Sequence, residues 1–198
     1  IKALKFLDKF KPTIYKVASF EITDLNLIRE IAKKRKPVIL STGMAKLSEI
    51  SNAVKEIEKI HKKIIILHCV SGYPTPESEA NINKINLLKV KFPNKILGIS
   101  DHTNDINSSL AAVAMGAEII EVHFTDSREN KDFRDHKVSL TKEGLTFCKS
   151  SKTFSKSSKP TLVLAVPQPK SAKLPPLVVF VVKYLIASFS FWEKAKKL

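Results

Sequence analysis

The sequence predicts an α/β fold whose parallel sheet curls toward a barrel, and three observations carry that reading. Short β-prone runs alternate with amphipathic stretches. The runs recur every 22 to 32 residues, with room for one helix between each pair. Near their C-terminal ends, small or polar residues fall on one parity, as a closed sheet with a polar mouth requires.

The first run is Tyr15 to Ser19. Asp24 is placed to cap the helix that follows, where Leu25, Ile28 and Ala32 recur at helical spacing. Pro37 to Thr42 is the second strand, and its helix carries Leu47, Ile50, Val54 and Ile57 on one face. Ile64 to Ser71 is the third, followed by a loop with Pro74 and Pro76 and a helix with Ile82, Ile85 and Leu88. Ile96 to Ser100 is the fourth strand. Asp105 is expected to open its helix and Gly116 to close it. Ile119 to Thr125 is the fifth strand.

This rhythm is common to open and closed parallel sheets, so parity has to separate them. Ile39, Ser41 and Gly43 share one face, as do Gly98, Ser100 and His102, and Glu121 and His123. Polar groups on the inward parity near strand ends fit a barrel mouth. A complete eight-unit barrel needs about 250 residues. The 198 residues present are short of that, so the expectation is a partial TIM (β/α)8 barrel of about five βα units.

Charge and composition divide the chain near residue 148. The formal net charge of +15 splits unevenly: residues 1–148 hold 24 Lys and Arg against 18 acids, and residues 149–198 hold 10 against one. All five glycines lie in the first part. The division is therefore 1–148, a barrel segment, and 149–198, a basic, glycine-free tail. The tail holds a Ser/Lys-rich stretch at 149–160 and a β-prone run at 178–182 that reads as an aggregation hazard unless covered. Its apolar run, Leu177 to Trp192, is interrupted by Lys183 and falls under a membrane span. The mildly basic first part suits an anionic small substrate. Cys69 and Cys148 make no disulfide framework and fit a reducing cytoplasm. The chain opens at Ile1 without Met, which points to a start further upstream.

Ser100-Asp101-His102 and Glu121-Val122-His123 end successive strands. Neighbouring strands lie about 4.8 Å apart, so the two imidazoles can reach one metal. Two His with open positions suit Mn²⁺, Zn²⁺ or a similar divalent ion; each His could instead cap its strand. Lys16, Ser19, Ser41 and Ser100 supply a cation and hydroxyls at other strand ends that could hold a phosphate. Glu21 is a candidate general acid or base, or else a solvated loop acid. Tyr73 could present a phenol to substrate or shape a turn. His61 reads as solvated, His68 as packed and hydrogen-bonded, and Lys33 to Lys36 as a solvated helix C-terminus.

Six motifs stand in order: Lys16-Val-Ala-Ser19-Phe-Glu21, Ser41-Thr-Gly-Met44, His68-Cys-Val-Ser71-Gly-Tyr73-Pro74, Ser100-Asp-His102-Thr103, Glu121-Val-His123-Phe124 and Asp135-His-Lys-Val-Ser139. Over residues 1 to about 143 the series resembles the nonulosonate synthases, which make N-acetylneuraminate, legionaminate and pseudaminate. Its Ala-Ser-Phe-Glu and Ser-Gly-Tyr-Pro wording is closer to the legionaminate and pseudaminate types. The resemblance implies a metal-dependent condensation of phosphoenolpyruvate with an N-acyl amino sugar to a nine-carbon 2-keto acid. It implies that His102 and His123 hold the metal, usually manganese, with magnesium or cobalt as alternatives. Lys16, Ser19, Ser41 and Ser100 then match phosphoenolpyruvate-binding positions, and Glu21 the acid near the reacting carbons. Ser71, Tyr73 and Asp135 match substrate-side positions.

The departures are specific. The family's first barrel strands, with another Glu and another Lys, have no counterpart here. Asp132-Phe133-Arg134 replaces a Gly-Pro, and Ser71 stands where some members carry Asn. The family works as a homodimer through a swapped C-terminal domain that is not recognisable in this chain. Residues from about 145 onward are expected to be out of frame or unrelated, and the chain alone to be unstable and inactive. Two other readings stand beside this one: another phosphoenolpyruvate-dependent aldol synthase, or a non-catalytic basic protein binding membrane or nucleic acid through its tail. The tail has no regular aromatic or basic patterning, so the expected ligands are phosphoenolpyruvate and the sugar, with no nucleic acid and no membrane.

Overall fold

The computed structural model describes residues 1–125, 128–129, 135–141, 162–167 and 185–186. Five βα-type repeats dominate it. In chain order they are α1 (Lys2–Asp8), β1 (Tyr15–Val17), α2 (Leu25–Ala32), β2 (Val38–Ser41), α3 (Leu47–Glu58), β3 (Ile64–Cys69), α4 (Lys84–Lys91), β4 (Ile96–Asp101), α5 (Asn107–Ala114) and β5 (Ile119–Phe124). A short α6 (Asp135–Val138), β6 (Leu162–Pro167) and β7 (Leu185–Ile186) follow. The strands run in sheet order β1-β2-β3-β4-β5-β6-β7. All neighbours through β6 are parallel, and β7 returns antiparallel. Among the described residues no helix is long and apolar enough to cross a membrane.

Strand alternation sorts the side chains into two layers. Tyr15, Val17, Val38, Leu40, Ile64 and Ile66 point outward and join Ile28, Ile31, Ile50, Val54 and Ile57 of α2 and α3 in the larger core. Ile99, Ile120 and Val122 do the same against Ala112 and Val113 of α5. The opposite parity forms a separate inner cluster of Ile39, Ile65, Leu67 and Ile119, with Ile14 and Ile96 against it. Fully burying one such Ile or Leu stabilises the fold by roughly 1.5–3 kcal/mol.

Two facts establish the curl. Ile39 of β2 and Ile119 of β5 belong to one inner cluster. Lys16 on β1 also meets Glu121 on β5, Nζ to Oε1, at 3.1 Å. In a flat sheet those strands, four steps apart, would be separated by about 19 Å. The sheet therefore wraps a common axis, and the predicted half-barrel is the observed architecture. Gly98 lets the strands close: a Cβ there would stand 2.2 Å from the Ile119 carbonyl oxygen and 2.7 Å from Leu67 Cδ2.

The element boundaries carry several corrections. Helix α1 was not anticipated. Ser19 leaves the first strand and starts a 3-10 turn, Ser19–Glu21. Asp24 caps α2 as expected, accepting from the Leu27 N–H at 2.9 Å. Asp105 does not open α5; it accepts from the Asn107 N–H and Nδ2 just ahead of the helix. Gly116 follows the end of α5 with φ 98°. The tail segments at 149–160 and 178–182, Gly144 and Cys148 lie outside the described residues.

Candidate active site

Along the barrel axis the inward side chains change from apolar to polar. Ile39, Ile65 and Ile119 lie below, and Lys16, Ser41, Ser100 and Glu121 come next. His102 and His123 stand at the ends of β4 and β5. The strand C-terminal ends thus gather the polar side chains, on the parity read from the sequence.

The polar layer is built on Glu121. Its Oε1 receives both the Lys16 ammonium, at 3.1 Å, and the Ser100 hydroxyl, at 2.7 Å. Burial pushes this carboxyl up, but Lys16, Ser100 and His123 outweigh it and hold Glu121 below the usual carboxylate range. Ser41 Oγ is buried without a hydrogen-bond partner. A buried hydroxyl left unpaired costs free energy, so it has capacity for a ligand.

A second group of hydroxyls gathers at the loop after β2. Gly43 N–H donates to Ser19 Oγ at 3.0 Å. A Cβ on Gly43 would stand 2.2 Å from Ser71 Oγ and 2.7 Å from Ser19 Oγ. The missing side chain is therefore what brings Ser19 and Ser71 together over a backbone amide, from loops far apart in sequence.

Tyr73, His102 and His123 form an aromatic cluster at the mouth. The ring centroids of Tyr73 and His102 are 4.1 Å apart, those of Tyr73 and His123 5.6 Å, and those of the two imidazoles 5.1 Å. The Thr75 N–H donates to the His102 carbonyl at 2.9 Å, locking the Tyr73 loop onto the end of β4. The Tyr73–Pro74 peptide in that loop is cis.

His102 Nδ1 lies 2.8 Å from the Val70 carbonyl, which can only accept, so Nδ1 carries a proton. That directs the Nε2 lone pair outward, the arrangement expected of a metal-ligating imidazole. Cys69 Sγ is 3.8 Å from the same Nδ1. Burial pushes the Cys69 thiol up, but His102, Ser19 and Lys16 bring it below its ordinary value. Burial pushes His102 down, while Cys69, the Val70 carbonyl and Glu121 leave it raised. Among the described residues no group of three His, Cys, Asp or Glu could hold a metal. His102 and His123, with ring centroids 5.1 Å apart, are two candidate ligands, and water or substrate oxygens would have to complete the set around any divalent ion.

The remaining candidates separate. Glu21 turns back on its own loop, its Oε2 accepting from the Ala18 N–H at 3.3 Å. Asp135 begins α6, and its side chain lies outside the described residues. His68 is packed, Nε2 against the Ala80 carbonyl at 2.7 Å. His61 is half-buried rather than solvated, its Nδ1 accepting from the Lys63 N–H. Inward parity puts Glu121 beside His123 at the mouth, whereas no pattern in the sequence points to Cys69, or to Asp101 beneath the site. Asp101 is buried and accepts from the Thr103 N–H, the Thr103 hydroxyl and the Ser109 hydroxyl, which pins the segment carrying His102.

The sequence pattern of the NeuB family matches residues 1–159. The chain is 43% identical over 148 residues to N,N'-diacetyllegionaminic acid synthase of Campylobacter jejuni, covering 73% of this chain and 44% of that protein. It is 32% identical over 145 residues to N-acetylneuraminate-9-phosphate synthase of Drosophila melanogaster, covering 73% and 39%. The crystal structure of N-acetylneuraminic acid (sialic acid) synthetase from Leptospira borgpetersenii, in complex with citrate, superposes with a TM-score of 0.68 at 40% identity, over 72% of this chain and 49% of that one. The chain thus spans a little under half the length of these relatives.

Proposed function

The chain belongs to the NeuB family, and from that premise we propose that its strand ends are the metal-binding and substrate-binding side of a nonulosonate synthase. The reaction joins phosphoenolpyruvate to the open-chain aldehyde of an N-acyl amino sugar. C3 of the enol attacks the aldehyde carbon, forming the new C–C bond, and the aldehyde oxygen takes a proton. Water adds at C2, and phosphate leaves with the bridging oxygen. The product is a nine-carbon 2-keto acid.

One observation supports this above others: Tyr73, His102 and His123 converge at the barrel mouth beside a buried lysine and serine layer. In this reading His102 and His123 hold the divalent ion, manganese first, which polarises the aldehyde. Lys16, Ser19, Ser41 and Ser100 receive the anionic groups of phosphoenolpyruvate. Glu21 serves as acid or base once its loop moves, and Ser71, Tyr73 and Asp135 face the sugar. The higher identity to the legionaminic acid synthase, 43% against 32% for the neuraminate-9-phosphate enzyme, favours the legionaminate and pseudaminate types over the neuraminate type. Residues 1–148 form the catalytic unit, Leu162–Pro167 of the basic tail adds β6 to its sheet, and a reducing cytoplasm keeps the buried Cys69 free.

A chimera tests the reading without depending on the rest of the barrel. Residues 1–143 replace the matching segment of the Campylobacter synthase, and products are followed by mass spectrometry with Mn²⁺, phosphoenolpyruvate and a panel of N-acyl amino sugars. The expected outcome is a nine-carbon keto acid that disappears on adding a chelator and in His102→Ala. A folded chimera that releases no such acid would overturn the proposal.

A further inference from the structure

One oxygen of Glu121 occupies the donors that an incoming anion needs. Lys16 Nζ and Ser100 Oγ both address Glu121 Oε1, at 3.1 and 2.7 Å. A serine hydroxyl has one hydrogen, so while Ser100 donates to Glu121 it cannot donate to a ligand. Lys16 and Glu121 are both largely buried, with side chains 13% and 12% exposed, so water screens their attraction weakly. Close by, the Ser41 hydroxyl is buried and unpartnered. One donor set is therefore engaged by an internal carboxylate, while a neighbouring hydroxyl is left over.

We propose that Glu121 is a built-in competitor for the ligand's oxyanion, one that sets the anion selectivity of the site. This rests on reading Lys16 and Ser100 as oxyanion-binding groups. A small monoanchored oxyanion must take Ser100 from Glu121, share the Lys16 ammonium with it, and lie beside its negative charge. A ligand with two anionic groups, such as an enol phosphate bearing a carboxylate, has further contacts with which to offset that repulsion. Glu121 thus discriminates against free phosphate, which helps the phosphate released by the reaction to leave. Glu121 acts through Lys16 and Ser100 and is a positioning and selectivity residue.

The test is binding of inorganic phosphate to the purified 198-residue chain, followed by ³¹P NMR and calorimetry. Glu121→Gln keeps the shape and an acceptor oxygen but removes the charge. It is expected to bind phosphate at least about tenfold more tightly than the native chain, and adding Lys16→Ala should abolish the gain. Should Glu121→Gln fail to fold by circular dichroism, Glu121→Asp keeps the charge but draws it back from Lys16 and Ser100. That variant should then show the same gain at smaller size. Lys16-dependent phosphate binding by the native chain, with no tightening in the variant, would overturn the inference and leave the oxyanion site standing. No Lys16-dependent binding in either protein would overturn both.

Discussion

Gly98 illustrates how much at the residue scale depends on contacts that no local pattern contains. As a glycine in a strand it reads as a weak point, yet its missing side chain is where the Ile119 backbone passes. Gly98→Ala is expected to destabilise the fold by about 3 kcal/mol, since backbone rather than a flexible side chain must give way. A drop in urea midpoint measures it, and an unchanged midpoint would contradict the close approach. The site residues divide in the same way. His102, His123, Ser41 and Ser100 were legible because they end β-prone runs on one parity. The part played by Glu121 was not, because its partner Lys16 lies four strands away and meets it only when the sheet curls. In the sequence Cys69 speaks only to the redox compartment, because its contact with His102 comes from a different strand.

At the scale of elements, strong periodicity was readable and caps were less so. The helices α2 and α3 carry apolar residues at helical spacing, and both stand where they were expected. Helix α1 went unread because its seven residues present two buried positions, Leu4 and Leu7, too few for a periodic signal. Polar ties hold these outer helices. Tyr15 donates to Asp8 at 2.6 Å and Lys34 pairs with Asp8, joining α1 to β1 and to the end of α2. Arg29 pairs with Glu56, joining α2 to α3, and Lys59 at the end of α3 pairs with the same Glu56. The side-chain hydrogen bond from Lys34, with that of Tyr15, holds Asp8 below its ordinary value, and the one from Lys59 does the same for Glu56. A carboxyl depressed in the folded state contributes stability above its unfolded pKa and loses it as pH falls through the folded value. The outer helices should therefore hold from about pH 7 to about pH 5 and loosen as the pH falls below about 4. Hydrogen exchange should rise in α1 and α2 before it rises in β3. Uniform protection across that range would contradict this.

For the whole molecule, the rhythm of strands fixed the fold class, and the curl gives that rhythm its chemical meaning. Five parallel strands wrapped about one axis bring Lys16, Ser100, Glu121 and two imidazoles to one mouth, whereas an open sheet would spread them along an edge. The sequence hinted at closure only through parity, since wrapping is a property of contacts between the first and fifth strands. The composition changes near residue 148, while the family match runs on to residue 159. The claim on which the account turns is that the two imidazoles at this mouth form a metal site. Titrating Mn²⁺ into the purified chain and following the free ion by electron paramagnetic resonance tests it most directly. About one equivalent should bind, and it should be lost in His102→Ala and in His123→Ala while the fold persists by circular dichroism. No binding, or binding that survives both substitutions, would contradict it.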